Sequence, residues 1–194
     1  IYKVSSCLFH DNIGYTDLSW STLLNNTFSY GRADLNVADA SSNLFKNIYG
    51  IVSANTFSNN TLSVNTMDIM APTFSKNSLE YGLYTITAQE NTSNKYSSCN
   101  IDLHGPGIFN NVFAKDLMNI TGMNIMKNAY ESVSQLYVTG EDLKSEVYSS
   151  VSMMKLNANY IWLNQLELAS SVKINAISSF ASNSFEQMNS LKLN

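Results

Sequence analysis

The side chains of this chain that could do acid–base chemistry fall in two short stretches. In "NIDLHGPG", residues 100–107, Asp102 and His104 stand two apart, which on a strand puts both on one face, and Gly105, Pro106 and Gly107 force a turn directly afterwards. A carboxylate beside an imidazole is the arrangement of an oriented general base. In "RADLNVAD", residues 32–39, Asp34 and Asp39 lie near Arg32, the single arginine. Glycoside hydrolysis asks for two carboxylates on one groove, and elimination on an acidic sugar asks for a Lys or Arg base, often beside Ca²⁺. Both stretches also read as plain structure: a polar strand end entering a loop, and a solvated corner with a local ion pair. That plainer reading is adopted, so no catalytic residue is assigned and the chain is not read as an enzyme.

Cys7 and Cys99 would need His10 or His104 alongside to act as nucleophiles, and nothing in the sequence brings them together. They are read as structural, either as one disulfide or as buried thiols. Two histidines and two cysteines so widely spread make no zinc site, and no run of carboxylates has the spacing of a calcium loop. "IDLHGPG" is the nearest approach to a phosphate loop and lacks its lysine. No metal and no cofactor is expected.

Composition narrows the partners. The chain has 194 residues, 44% hydrophobic and only 13% charged, with a net charge of −4. Ordinary soluble domains carry about 25% charged residues, so this surface must be polar but mostly uncharged. With one arginine and no basic stripe, nucleic acid is excluded as a partner. The longest apolar runs, such as "IWL" at 161–163, fall far short of the roughly 20 residues that cross a bilayer. The opening "IYKVSSCLF" has neither an initiator Met nor a signal peptide, and reads as a processed or excerpted chain. Sequons at Asn25, Asn59, Asn91 and Asn119 permit N-glycosylation, at no more than chance frequency. No composition shift divides the chain, so residues 1–194 are taken as one domain.

The elements that must position these residues emerge from a repeat. An apolar residue is followed three places later by asparagine at Phe9–Asn12, Leu23–Asn26, Leu44–Asn47, Phe57–Asn60, Phe74–Asn77, Ile108–Asn111, Ile125–Asn128 and Phe180–Asn183. The spacing predicts an all-β fold: a single-stranded parallel β-helix, or β-solenoid, with irregular coils of about 15–22 residues. Asn26, Asn47, Asn60, Asn77, Asn111, Asn128 and Asn183 would then sit at tight corners, and their amides would stack from coil to coil as hydrogen-bonded ladders. The gap from Phe74 to Ile108 would hold one degenerate coil. Short alternating runs supply the strands: "LYTIT" at 83–87, "NIDL" at 100–103, "IWLNQLEL" at 161–168 and "SVKINAI" at 171–177.

The last third admits an alternative, a β-solenoid followed by helix. Ile125, Ala129, Val133 and Leu136 recur at helical spacing, Leu143, Val147, Val151, Met154, Ala158 and Ile161 continue it, and "TGED" at 139–142 resembles a capping box. The same region also fits a period of five through Val133, Val138, Leu143, Tyr148, Met153, Ala158, Leu163 and Leu168. Its polar face is Ser, Asn and Tyr, which are mediocre helix formers, so coils are preferred. An ice-binding face would need ranks of threonine, and only "TIT" at 85–87 alternates correctly. The aromatic residues of "NYIWL", at 159–163, are read as core ahead of a sugar-stacking platform.

"FSNN", "FSKN" and "LFKNIYG" resemble the FxxN repeats of the chlamydial polymorphic outer-membrane proteins and similar secreted right-handed parallel β-helices. The second motif of that family, GGA followed by an aliphatic residue, has no copy here. The resemblance implies a secreted or cell-surface β-helix serving adhesion or surface structure. "IYKV" and "SLKLN" both read as strand, with no capping helix or charged loop at either end. The leading expectation is therefore a structural subunit of an extracellular filament or surface coat, assembling with itself head to tail. At about 4.8 Å per coil and roughly 20 residues per coil, each subunit would add on the order of 45 Å. The alternative is a surface adhesin or glycan-binding segment of a larger secreted protein, and a degraded carbohydrate-active enzyme stands third.

Overall fold

The computed structural model describes residues 2–11, 14–115 and 117–194. All of the described secondary structure is strand, and every strand pairing is parallel, giving a β-solenoid of about 11 turns. The helical alternative for the last third is overturned, since residues 117–193 form strands like those before them.

One coil defines the rest. After Asn77, face A runs over 78–80, a corner follows at Tyr81–Gly82, and face B runs over 83–87. A second corner at Ala88–Gln89 leads to face C over 90–92, and a third at Ser93–Asn94 closes the coil. The repeat is far more regular than the sequence suggests. Consecutive coils from Asn26 to Asn128 are 17 residues long, and later ones 18 or 19. The added residue falls at the A–B corner, where Val133, Val151 and Ala169 are buried. That insertion explains the false period of five: Val133, Val138, Leu143 and Tyr148 point inward, but Met153, Leu163 and Leu168 are exposed.

The C–A corner follows a two-residue rule. The first residue takes a left-handed backbone, as at Asn25, Ser42, Asn59, Lys76, Ser93, Asn110 and Lys127, each with φ near +57° (56°, 56°, 55°, 56°, 60°, 56° and 59°). Asparagine tolerates that region better than most side chains. The second residue turns inward and builds a ladder through Asn26, Asn43, Asn60, Asn77, Asn94, Asn111, Asn128, Glu146, Asn164 and Asn183. Asn77 shows the unit: its Nδ2 donates to the Phe57 carbonyl at 3.0 Å and to Asn94 Oδ1 at 3.0 Å. Its Oδ1 accepts from the Asn60 backbone N–H at 2.9 Å. A buried amide is tolerable only when so fully bonded.

The ladder corrects one predicted corner residue. Asn47 has φ of 51°, but at the A–B corner, where Tyr30, Tyr81 and Ser98 are its counterparts. The ladder residue of that coil is Asn43, preceded three places earlier by buried Ala40. The degenerate coil between Phe74 and Ile108 is the one carrying Asn91 and Asn94. Asn12 lies outside the described residues.

The core fills the interior with stacked columns. Rings two places after the ladder stack as Phe9, Phe28 and Phe45, with centroids 4.7 and 4.9 Å apart. Leu62 and Leu79 take that position next, and Phe57 and Phe74 appear instead three places before the ladder residue, with centroids 5.4 Å apart. The stack then returns as Tyr96, Phe113, Tyr130 and Tyr148 at 4.7, 5.0 and 4.8 Å. Each coil thus holds about one ring.

Candidate functional surfaces

Register fixes which side chains meet, because outward residues one coil apart lie directly above one another. On face B the central outward column reads Asp34, Ile51, Asp68, Thr85, Asp102, Asn119, Tyr137, Lys155, Lys173 and Lys192. Asp102 and His104 do share this face as the strand spacing predicts, with Asp102 Oδ1 3.0 Å from His104 Nε2. Asn119 Nδ2 also donates to Asp102 Oδ1, at 2.9 Å. Arg32 Nε donates to Asp34 Oδ2 at 2.6 Å, and Asp34 Oδ1 accepts from the Ile51 backbone N–H at 3.1 Å. Asp39 is not part of that group: it stands on face C between Thr22 and Thr56. The cluster of "RADLNVAD" is therefore split by a corner.

The cysteines are far apart in the stack. Cys7 is exposed and holds the ladder position of the first coil, its N–H donating to Asn26 Oδ1 at 3.0 Å. Cys99 is buried at the A–B corner opposite Gly82, with Sγ 4.0 Å from the Leu79 carbonyl. No disulfide joins them. Several coils separate them, at about 4.8 Å each, where a disulfide needs Cα atoms within about 7 Å. Three sequon asparagines, Asn25, Asn59 and Asn119, are exposed, but Asn91 is wholly buried with Nδ2 donating to Tyr96 Oη at 2.8 Å. Asn91 is thus closed to modification in the folded chain. No group of three metal-ligating side chains occurs among the described residues, and no helix is long and apolar enough to cross a membrane.

Two surfaces were not legible from motifs. The first is an open groove of about 800 Å³ along the B–C corner. Its floor is a column of small residues, Ala54, Ala71, Ala88 and Gly105, and its walls carry Met70 and His104 on one side and Pro72 and Pro106 on the other. A Cβ at Gly105 would fall 1.9 Å from the Ala88 carbonyl oxygen, so the floor there admits no side chain. The signal was a small residue every 17 places. The second is an aromatic pair on face C: Tyr160 and Trp162 flank buried Ile161 and are 44% and 39% exposed. Lys144 Nζ lies 4.1 Å from the Trp162 ring centre, and Asp142 stands beside Tyr160. The expectation that the rings of "NYIWL" are core is corrected. Alternation puts the isoleucine inside and both aromatics out.

The threonines of "TIT" make no array. Thr85 stands between Asp68 and Asp102, and Thr87 between Met70 and His104.

One buried site is chemically unusual. Glu146 replaces asparagine in the ladder, and its Oε1 accepts from the Asn128 N–H at 3.2 Å and Nδ2 at 3.3 Å. Its Oε2 and the hydroxyls of Tyr130 and Tyr148 are buried without a hydrogen-bond partner of good geometry. Burial pushes the Glu146 carboxyl up to about 8 against the pull of the Asn128 amides. The same burial, with Glu146 nearby, raises both tyrosines. Comparison with protein-family models, with curated proteins and with solved structures returns no match.

Proposed function

We propose that this solenoid is a structural subunit of an extracellular filament or surface coat, built by stacking coils end on end. The supporting observation is edge pairing: among the described strands, Tyr2–Ser5 bonds only to the strand 14–24, and Leu191–Leu193 only to Ser171–Ala181. Where such an edge strand meets a second copy, its unpaired backbone groups accept another coil, and a head-to-tail contact of this kind propagates. The likeness of "FSNN" and "FSKN" to FxxN surface repeats favours a secreted or cell-surface setting, and the exposed sequons are compatible with it. Negative-stain electron microscopy across concentrations, with far-ultraviolet circular dichroism, tests the reading. Filaments that lengthen with concentration support it, and single particles at every concentration overturn it.

A second reading rests on the aromatic pair. Tyr160 and Trp162, exposed beside Asp142 and Lys144, make a platform on which a sugar ring could stack while its hydroxyls meet the charges. An adhesin of this type would bind glycans as a single particle, and Trp162→Ala would abolish the binding without altering the β spectrum.

A further inference from the structure

The central column of face B is segregated by charge. Its acids, Asp34, Asp68 and Asp102, recur on every second coil of the first half, and its bases, Lys155, Lys173 and Lys192, occupy the last three coils. Among the described residues none of the three lysines forms an ion pair. Lys173 and Lys192 are exposed, and Lys155 is half-buried. Ammonium groups on residues stacked at a spacing of about 4.8 Å repel one another, so anions brought against the row from outside its own face would stabilise it.

We infer that face B pairs with face B of a second copy, the solenoid axes antiparallel. Two aligned two-fold arrangements put these faces together. With parallel axes each central residue meets its own copy, Asp against Asp and Lys against Lys. With antiparallel axes the column meets itself reversed. Centring the two-fold between Asp102 and Asn119 overlaps all ten rows and sets Lys155 against the second copy's Asp68, Lys192 against Asp34, Lys173 against Ile51, Tyr137 against Thr85 and Asn119 against Asp102. Asp34 already holds Arg32, so Asp68 with Lys155, present twice by symmetry, is the pair that fixes the register.

The rest of the face suits a covered surface. Tyr49, Ile51, Met70, Leu83, Leu117 and Met153 all point outward here and are between 38% and 50% exposed. Five residues wide and ten coils long, the face measures about 17 Å by 45 Å, on the order of 750 Å². A standard protein interface takes about 800 Å² from each partner. This contact is isologous and closes at two copies, so it goes beyond end-on stacking, which does not close.

The test is sedimentation of the full chain with Cys7→Ser, which removes the exposed thiol. The expected result is a dimer whose dissociation constant rises at least tenfold between low and high salt. Lys155→Glu and Asp68→Lys should each yield folded monomers by circular dichroism, and the double swap, Asp68→Lys with Lys155→Glu, should restore the dimer. Asn119→Cys in the same background should cross-link through a short bismaleimide, because the two copies of residue 119 flank the two-fold axis. End-on neighbours would hold them tens of ångströms apart. A monomer at all concentrations, or a dimer indifferent to Lys155→Glu, overturns the inference. A monomer that instead captures heparin through the lysine row also overturns it, assigning that row to an anionic polymer.

Discussion

Glu146 puts an acid into a ladder of amides. An asparagine there would donate through its amide, whereas Glu146 accepts from Asn128 through Oε1 and leaves Oε2 unbonded, and two buried tyrosine hydroxyls lie in the same coils. Tyr96 solves the same problem differently, with inward Asn91 as partner. Tyr130 and Tyr148 have Ile125 and Leu143 in the equivalent place, so their hydroxyls lack that partner, and Glu146 is the polar side chain buried beside them. The carboxyl is raised from 4.5 to about 8, so the folded chain binds the extra proton between those values. Stability from this group is fully present below about pH 4.5 and is lost as pH rises through about 8, on the order of a few kcal/mol. Glu146→Gln keeps the length, supplies an amide donor and does not titrate. Urea denaturation at closely spaced pH values should show the wild type weakening between pH 5 and 8.5 relative to the variant. Parallel profiles would remove Glu146 as the cause. The sequence marked Asn26, Asn60, Asn77, Asn111, Asn128 and Asn183 by type and spacing, but Glu146 was invisible because no rule expects a buried acid to follow "LKS".

At the scale of the coil, the motif is two residues and a ring, not an apolar residue and an asparagine alone. "LFKN" fits the simpler pattern, yet its leucine is 37% exposed and its Asn47 turns a different corner. The strict period of 17 would have chosen Asn43, had Ala40 not been too small to register as the apolar partner. Ring placement is the compensating rule: across the corner at Asn43 the inward pair is Ala40 and Phe45, and across the next, at Asn60, it is Phe57 and Leu62, one ring each in alternate columns. Phe57→Ala alone should cost about 3–5 kcal/mol by opening a cavity, and Leu62→Phe alone about 1–3 kcal/mol by overpacking. Together they recreate the neighbouring arrangement. The double variant should recover at least about 1 kcal/mol over the sum of the single costs, read as a double-mutant cycle in urea. Strict additivity would mean that the two columns do not share space. The helical alternative failed for a related reason. Val133 and Val151 are corner insertions that put a buried residue three places before buried Leu136 and Met154, a helical spacing, whereas Val147, which the helical pattern needs inside, is 40% exposed.

In the whole molecule each coil touches only its neighbours, so stability sums over intrinsic terms and nearest interfaces, and the ends are the weakest units. The gradient is visible in burial. The last fully buried core residue is Ile174, and beyond it Phe180, Phe185 and Met188 are only partly covered, with 191–194 exposed. The fold was legible at this scale because a solenoid repeats its grammar many times and errors in single coils average out. The faces were not, since a strand pattern tells inside from outside but not which outward residues become neighbours 17 places on. Hydrogen exchange by mass spectrometry should find amides between Asn43 and Asn128 exchanging slowest and those of residues 175–194 fastest in dilute solution. Raising the concentration separates the modes of assembly. End-on stacking should slow exchange at 184–186, on face A, by adding a coil to their open edge, while pairing through face B leaves those amides unbonded and instead covers the side chains around Asp102 and Asn119. If residues 184–186 exchange at the same rate at every concentration, the open edge accepts no second copy, and end-to-end growth of the solenoid is ruled out.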